Sequence, residues 1–227
     1  MDQVGQPPRL VVFDVNETLS DLAPLTAAFI AVGAPGHLVD HWFTSVLRDG
    51  FALTIGGQCP DFADLGRAVL AGLLPRHELT LEPPAAIESI MTAFAKLPVH
   101  ADVAPGIRAL HAAGVRVCTL SNGGTAFADS LLSRAGVRDL VDPLLSVQDA
   151  GAWKPLPRAY RYAAEATGMP AADLMLVAVH PWDCDAAMRA GLQAAWIDRT
   201  DAAYPATFAR PELTARSIVD LAALLSR

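Results

Sequence analysis

Asp14, Thr18, Ser121, Lys154 and Asp183 are residues whose types could do covalent chemistry, and each lies at or just past the end of a short apolar run. A carboxylate is a weak nucleophile that becomes useful when held in line with a carbon bearing a leaving group. A lysine beside it keeps it ionised, because a nearby positive charge lowers a carboxylate's pKa. Backbone N–H groups at the start of a helix after Ser121 would hold an anionic group of a substrate. Each residue also has a plainer reading. Asp14 could turn the chain, Ser121 and Asp183 could cap helices, and Lys154 could be a solvated loop lysine. Four such positions in the right order favour one shared site, because a parallel sheet brings its strand ends to one edge.

The elements that would position these groups follow from hydrophobic pattern. The unbroken run Leu10 to Phe13 reads as a strand buried on both faces. Residues 21–97 then show helical spacing: Leu22, Leu25, Phe29 and Ile30; Leu38, Trp42, Val46 and Leu47; Phe62, Leu65, Val69 and Leu73; Ile87, Ile90, Phe94 and Leu97. Gly56, Gly57 and Pro60 separate the second set from the third, and Pro83-Pro84 precede the fourth. Alternation of strands and helices resumes after Pro98. Strands are expected over residues 115–120, 144–147, 174–179 and 194–197, and helices over 107–113, 126–135, 157–167, 186–190 and 219–225. Gly114 and Gly136 stand where C-caps belong. This predicts an α/β fold, a doubly wound parallel sheet formed by residues 1–20 and 98–227, interrupted by a helical cap over 21–97.

Composition narrows the function classes. With 52% hydrophobic and 18% charged residues, the 227-residue chain can pack a core. A net charge of −7 argues against nucleic acid and anionic membranes as partners, while leaving room for a small anionic substrate. Cys59, Cys118 and Cys184 follow neither a disulfide nor a zinc spacing, the N-terminal MDQVGQPPRL is not a signal peptide, and no run is long enough to span a membrane. A cytoplasmic location is the expectation.

The order Asp-x-x-x-Thr, Ser-Asn-Gly, Lys-Pro-x-Pro-x-x-Tyr and Trp-Asp resembles the haloacid dehalogenase superfamily, and most of all its type II 2-haloacid dehalogenase branch. The resemblance implies a cap after the first strand, no metal and no cofactor. It also implies a small carboxylic acid substrate, and a homodimer with apolar cap surface as its interface. It makes Asp14 the nucleophile, supported by Thr18 and paired with Lys154, with Ser121 and Asn122 lying against the substrate carboxylate or the nucleophile. The family's tyrosine falls on Tyr160, and its second aspartate on Asp183. Halide displacement would leave an ester on Asp14, which water positioned by Asp183 would hydrolyse to a hydroxy acid. Val15, Asn16, Asn122, Tyr160, His180, Trp42 and Phe43 are the residues expected at the substrate.

Departures from the family pattern mark an altered pocket. If Trp42 is the family's cap tryptophan, Phe43 stands where an arginine receives the departing halide, and Arg48 lies about one and a half turns further on. His180 replaces a halide-side asparagine, and Asn16 an aromatic residue. The alternative within the superfamily is a magnesium-dependent phosphatase. Its second acid would fall on Asn16, which carries no titratable proton, and its metal ligand on Val179, which offers only a backbone carbonyl. A binding protein that has lost catalysis is a further alternative, against which the full set of five polar residues stands. A nucleotide-binding module lacks a phosphate-cradling glycine loop after the first strand.

Overall fold

A computed structural model describes residues 7–226; the reading of the first six residues as lacking a signal peptide falls outside them. The elements in chain order are β1 (Leu10–Phe13), α1 (Leu25–Ala31), α2 (Leu38–Ile55), α3 (Phe62–Leu73), α4 (Pro83–Ala95), α5 (Val103–Ala112), β2 (Arg116–Ser121), α6 (Thr125–Arg134), β3 (Leu144–Ser146), α7 (Val147–Ala150), α8 (Pro157–Thr167), β4 (Leu174–Ala178), α9 (Pro181–Arg189), β5 (Gln193–Ile197), β6 (Leu213–Ala215) and α10 (Ile218–Leu225). The strands form one parallel sheet in the order β3-β2-β1-β4-β5-β6. β1 is central and fully buried because both faces of the sheet are covered. Its alternate residues serve opposite sides. Leu10 and Val12 join α8, α9 and the cap helices, while Val11 and Phe13 pack with Ile107, Leu131 and Ile218.

Helices α1–α4 form the expected cap between β1 and α5, and an isolated bridge between Ser20 and Val99 ties together the two crossing points of the chain. The cap shares a hydrophobic cluster with one face of the sheet, through side chains such as Trp42, Phe62, Phe94 and Trp153. Gly114 and Gly136 close α5 and α6 in the left-handed conformation (φ 76° and 65°), as their positions suggest.

Several details differ from the sequence reading, among them the start of α5 at Val103, four residues before the expected one. Ile30 is exposed, because α1 buries only Leu25 and Phe29 and the next residue turns about 100° away. Val147 opens α7 instead of closing β3, since Ser146 caps it by accepting the Gln148 N–H. α9 begins at Pro181, five residues before the expected start, with Pro at its first position and His180 as N-cap. β6 was not expected; three residues of mixed burial leave no apolar run to read.

One cap–core contact reaches the site directly. Trp153, the residue before Lys154, donates its backbone N–H to Thr54 Oγ1 of α2 (3.0 Å), and its indole N–H to Pro60 O (2.9 Å). Its ring lies against Gly50 of α2, where an added Cβ would stand 2.3 Å from a ring carbon. Gly50→Ala should therefore push Trp153 aside, lower stability by about 1–3 kcal/mol, and reduce activity through Lys154. Urea denaturation and turnover measured on the same variant check this; unchanged values for both would disprove it.

Candidate active site

The expected convergence of strand ends is present. Asp14 follows β1, Ser121 ends β2, Lys154 lies in the loop between α7 and α8, and Asp183 sits in the first turn of α9. Lys154 Nζ bridges two carboxylates, at 2.8 Å from Asp14 Oδ1 and 2.6 Å from Asp183 Oδ2, and neither the lysine nor Asp183 is exposed to solvent. Thr18 Oγ1 donates to Asp14 Oδ2 (2.7 Å) and accepts the Val179 N–H (3.1 Å), locking the loop after β1 to the end of β4.

Burial alone would raise the pKa of Asp14, but the charges of Lys154 and His180 overcome it and hold the carboxyl well below the usual carboxylate range. Lys154 is held above its usual value despite burial, by the two aspartates it bridges. Asp183 goes the other way. Burial and the like charge of Asp14 raise it in spite of Lys154. Two carboxyls pushed in opposite directions in this manner are suited to different tasks.

The other expected site residues are held by contacts within the protein, some at this centre and some away from it. Asn122 grips the backbone of Lys154, its Oδ1 accepting the lysine N–H (2.9 Å) and its Nδ2 donating to the lysine C=O (3.3 Å). Tyr160 is buried and donates to Asp183 Oδ1 (2.5 Å), a bond that with burial pushes its own pKa well up. Its place is behind Asp183, a correction to its expected role as a substrate contact. Trp42 is likewise a cap-core residue, fully buried, with its indole N–H on Gly66 O (3.0 Å) and rings of Phe29, Phe43 and Phe94 around it. Val15 turns its side chain into the core, while its carbonyl accepts the N–H groups of Leu19 and Ser20. Ser121 Oγ accepts the Gly123 N–H (2.9 Å) and α6 is capped by Gly124, so Ser121 shapes the turn instead of capping the helix. Asn16 is buried beside this turn, with Oδ1 lacking a hydrogen-bond partner.

Between cap and core lies a cavity of about 750 Å³ lined by Glu17, Phe43, Leu47, Arg48, Phe51, His180 and Trp182, among others. Phe43 thus reaches the site's rim, stacked 6.4 Å from the His180 ring. Arg48 lines the same cavity, but its exposed guanidinium is paired with neighbouring Asp49 at 2.7 Å.

Two residues bonded to this centre's neighbours escape the sequence reading. Glu17 holds a positive φ of 63° and places Oε2 2.8 Å from His180 Nε2. Arg199 joins the Thr18 carbonyl (2.7 Å) to Asp102 (2.8 Å), and Asp102 in turn accepts the N–H of Ile218 at the start of α10. Applying the strand-edge rule to the fifth strand as well would have found Arg199; nothing in the spacing marked Glu17.

A buried carboxylate held ionised at the edge of a doubly wound sheet beneath a helical cap is an arrangement suited to hydrolytic chemistry. The sequence matches the haloacid dehalogenase-like hydrolase family over residues 8–191, and the chain belongs to that family. It is 33% identical to haloacetate dehalogenase H-2 of Moraxella sp. (strain B) over 207 residues, covering 90% of this chain and 92% of the relative. It is 25% identical to an (S)-2-haloacid dehalogenase of Pseudomonas putida, covering 93% of each. A crystal structure of an L-2-haloacid dehalogenase superposes with a TM-score of 0.90 at 27% identity, covering 98% of this chain and 100% of the other.

Two consequences of the electrostatics are measurable. Lys154→Met leaves two buried carboxylates without their cation and should cost about 3–5 kcal/mol of stability, read by urea denaturation. The His180 imidazole is disfavoured as a cation by burial, yet the carboxylates of Asp14 and Glu17 raise its pKa to about 9. A folded-state pKa above the unfolded value of about 6.5 stabilises below pH 6.5, and the contribution is lost as pH rises through 9. Stability should decline across that window in the wild type and stay flatter in His180→Gln.

Proposed function

We propose that this protein displaces halide from a small 2-haloalkanoic acid by attack of Asp14 on carbon, without a divalent cation, and releases a 2-hydroxy acid. The single observation that carries the reading is the Asp14 carboxylate, buried and kept anionic by Lys154 Nζ at 2.8 Å. The substrate carboxylate would lie against the turn after β2, where the Ser121 hydroxyl has a proton to donate and the N-terminus of α6 offers free N–H groups. An Asp14 oxygen forms a bond to the α-carbon as the carbon–halogen bond breaks, and the halide departs with the electron pair. Water then adds to the Asp14 carbonyl carbon, and the ester opens to the hydroxy acid and the free carboxylate.

Phosphoryl transfer with magnesium is poorly served by the same residues. Lys154 Nζ occupies the charge-compensating position beside Asp14. Asn16 offers no proton to a leaving oxygen, and Val179 turns a backbone N–H, not a carboxylate, toward the loop after β1. Among the described residues, no group of three or more His, Cys, Asp or Glu side chains is arranged to hold a metal ion. The functional division that goes with this reading is a cap over residues 21–97 and a catalytic core over 1–20 and 98–227. A homodimer and a cytoplasmic location are part of the same reading. No helix among the described residues is long and apolar enough to cross a membrane.

The test uses chelator-treated enzyme with chloroacetate, bromoacetate, 2-chloropropionate and a generic phosphate ester. Halide release that persists without metal is expected. Asp14→Asn should remove it while leaving the thermal unfolding profile that of a folded protein. Magnesium-dependent phosphate release with no halide would sink the reading.

A further inference from the structure

His180 stands between two carboxylates. Its Nε2 is 2.8 Å from Glu17 Oε2, and its Nδ1 is 3.3 Å from Asp14 Oδ2. The second contact is close but unaligned, so Nδ1 is a buried polar atom without a hydrogen-bond partner beside the nucleophile. The ring also borders both the 750 Å³ cavity and a neighbouring one of about 430 Å³, whereas Asp14 lines neither. Glu17 is held for this contact: its N–H donates to Ser20 Oγ (3.2 Å), and its carbonyl accepts from His100 Nε2 (3.0 Å). Asp183, the other acid near the centre, has one oxygen on Lys154 and the other on Tyr160, and no solvent exposure.

We infer that His180 is the general base of the second half-reaction, taking a proton from the water that hydrolyses the Asp14 ester, and that Glu17 positions it. This rests on the ester mechanism proposed above. A nucleophile, an imidazole base within reach of it and a carboxylate that orients the base form a known working arrangement for hydrolysis.

The arrangement also times the base. In the free enzyme the imidazole faces Asp14 from the end of β1 and Glu17 from the following loop, and it carries a proton. Phe43 of α2 and Trp182 of its own helix cover it without charge; Lys154 lies beyond Asp14, and Asp40 and Arg48 of α2 sit on the cavity wall. Alkylation turns Asp14 into a neutral ester and removes one of the two anions holding that proton. The imidazole then loses it to cavity water and becomes a base when one is needed. Water attacks the Asp14 carbonyl carbon and gives a proton to His180. The tetrahedral adduct collapses, breaking the bond to the ester oxygen, and the departing alkoxide takes the proton from His180. The regenerated Asp14 carboxyl passes its own proton to His180, which restores the starting state. The sum is haloacid plus water giving hydroxy acid, halide and one proton.

The experiment is rapid-quench assay of wild type, His180→Gln and Glu17→Gln with bromoacetate, reading bromide and the mass of the peptide carrying Asp14. In His180→Gln, about one equivalent of bromide per protein should appear and then stop, the peptide should gain one carboxymethyl group, and turnover should fall about 10²–10⁴-fold. In Glu17→Gln, the acid limb of the pH profile for ester hydrolysis should move to lower pH, which a merely structural role would not do. Loss of the first equivalent of bromide together with turnover, or His180→Gln turning over like wild type, overturns the inference alone. A wild type that releases no halide from any 2-haloacid overturns the dehalogenase reading and this inference with it.

Discussion

A lysine with no access to solvent, shared between two aspartates, sets the terms for the rest of the structure. Removing three charges from water is costly unless they are paired and hydrogen-bonded, and pairing alone is a weak source of stability. Such a cluster persists where its value is chemical, and its surroundings are organised to satisfy it. Asn122 fixes the lysine's backbone, Tyr160 fills the far oxygen of Asp183, and Thr18 fills the second oxygen of Asp14. None of these three side chains needs to touch a substrate for the centre to depend on it.

Thr18 connects that centre to the sheet. Its hydroxyl joins β1 to β4, and its carbonyl accepts from Arg199 past β5, which reaches Asp102 and through it the start of α10. The loop after β1 is thereby tied to three other elements. This allows Glu17 to hold a backbone conformation that a glutamate seldom adopts, and to direct its carboxylate at His180.

Most of the architecture was legible because the sheet is buried on both faces. Continuous apolar runs such as Leu10–Phe13 then announce strands, and the strand-edge rule finds Asp14, Ser121, Lys154 and Asp183 without knowledge of a fold. The four cap helices were legible from spacing alone. What escaped was short or set by tertiary contact: β6 has only three residues, and the first turn of α9 hides in His-Pro-Trp-Asp. Among the site residues, composition and order identified the charged centre but not the orientation of its neighbours. Trp42, Tyr160 and Asn122 are polar-tipped groups that a sequence reading places at a substrate, whereas packing turns them toward Gly66, Asp183 and the lysine backbone. The Glu17–His180 pair spans 163 positions of sequence, a separation at which spacing carries no information.

The bare backbone of α2 at Gly50 receives the Trp153 ring, and two donors, the Trp153 indole and Gln148 Nε2, share the carbonyl of Pro60. Cap and core are consequently keyed to each other at the residue adjoining the buried lysine. Recombination that transplanted a foreign lid onto this scaffold would have to carry a matching notch for the tryptophan. Changes lining the hollow between the two parts leave that notch intact, whereas exchange of the whole lid would not.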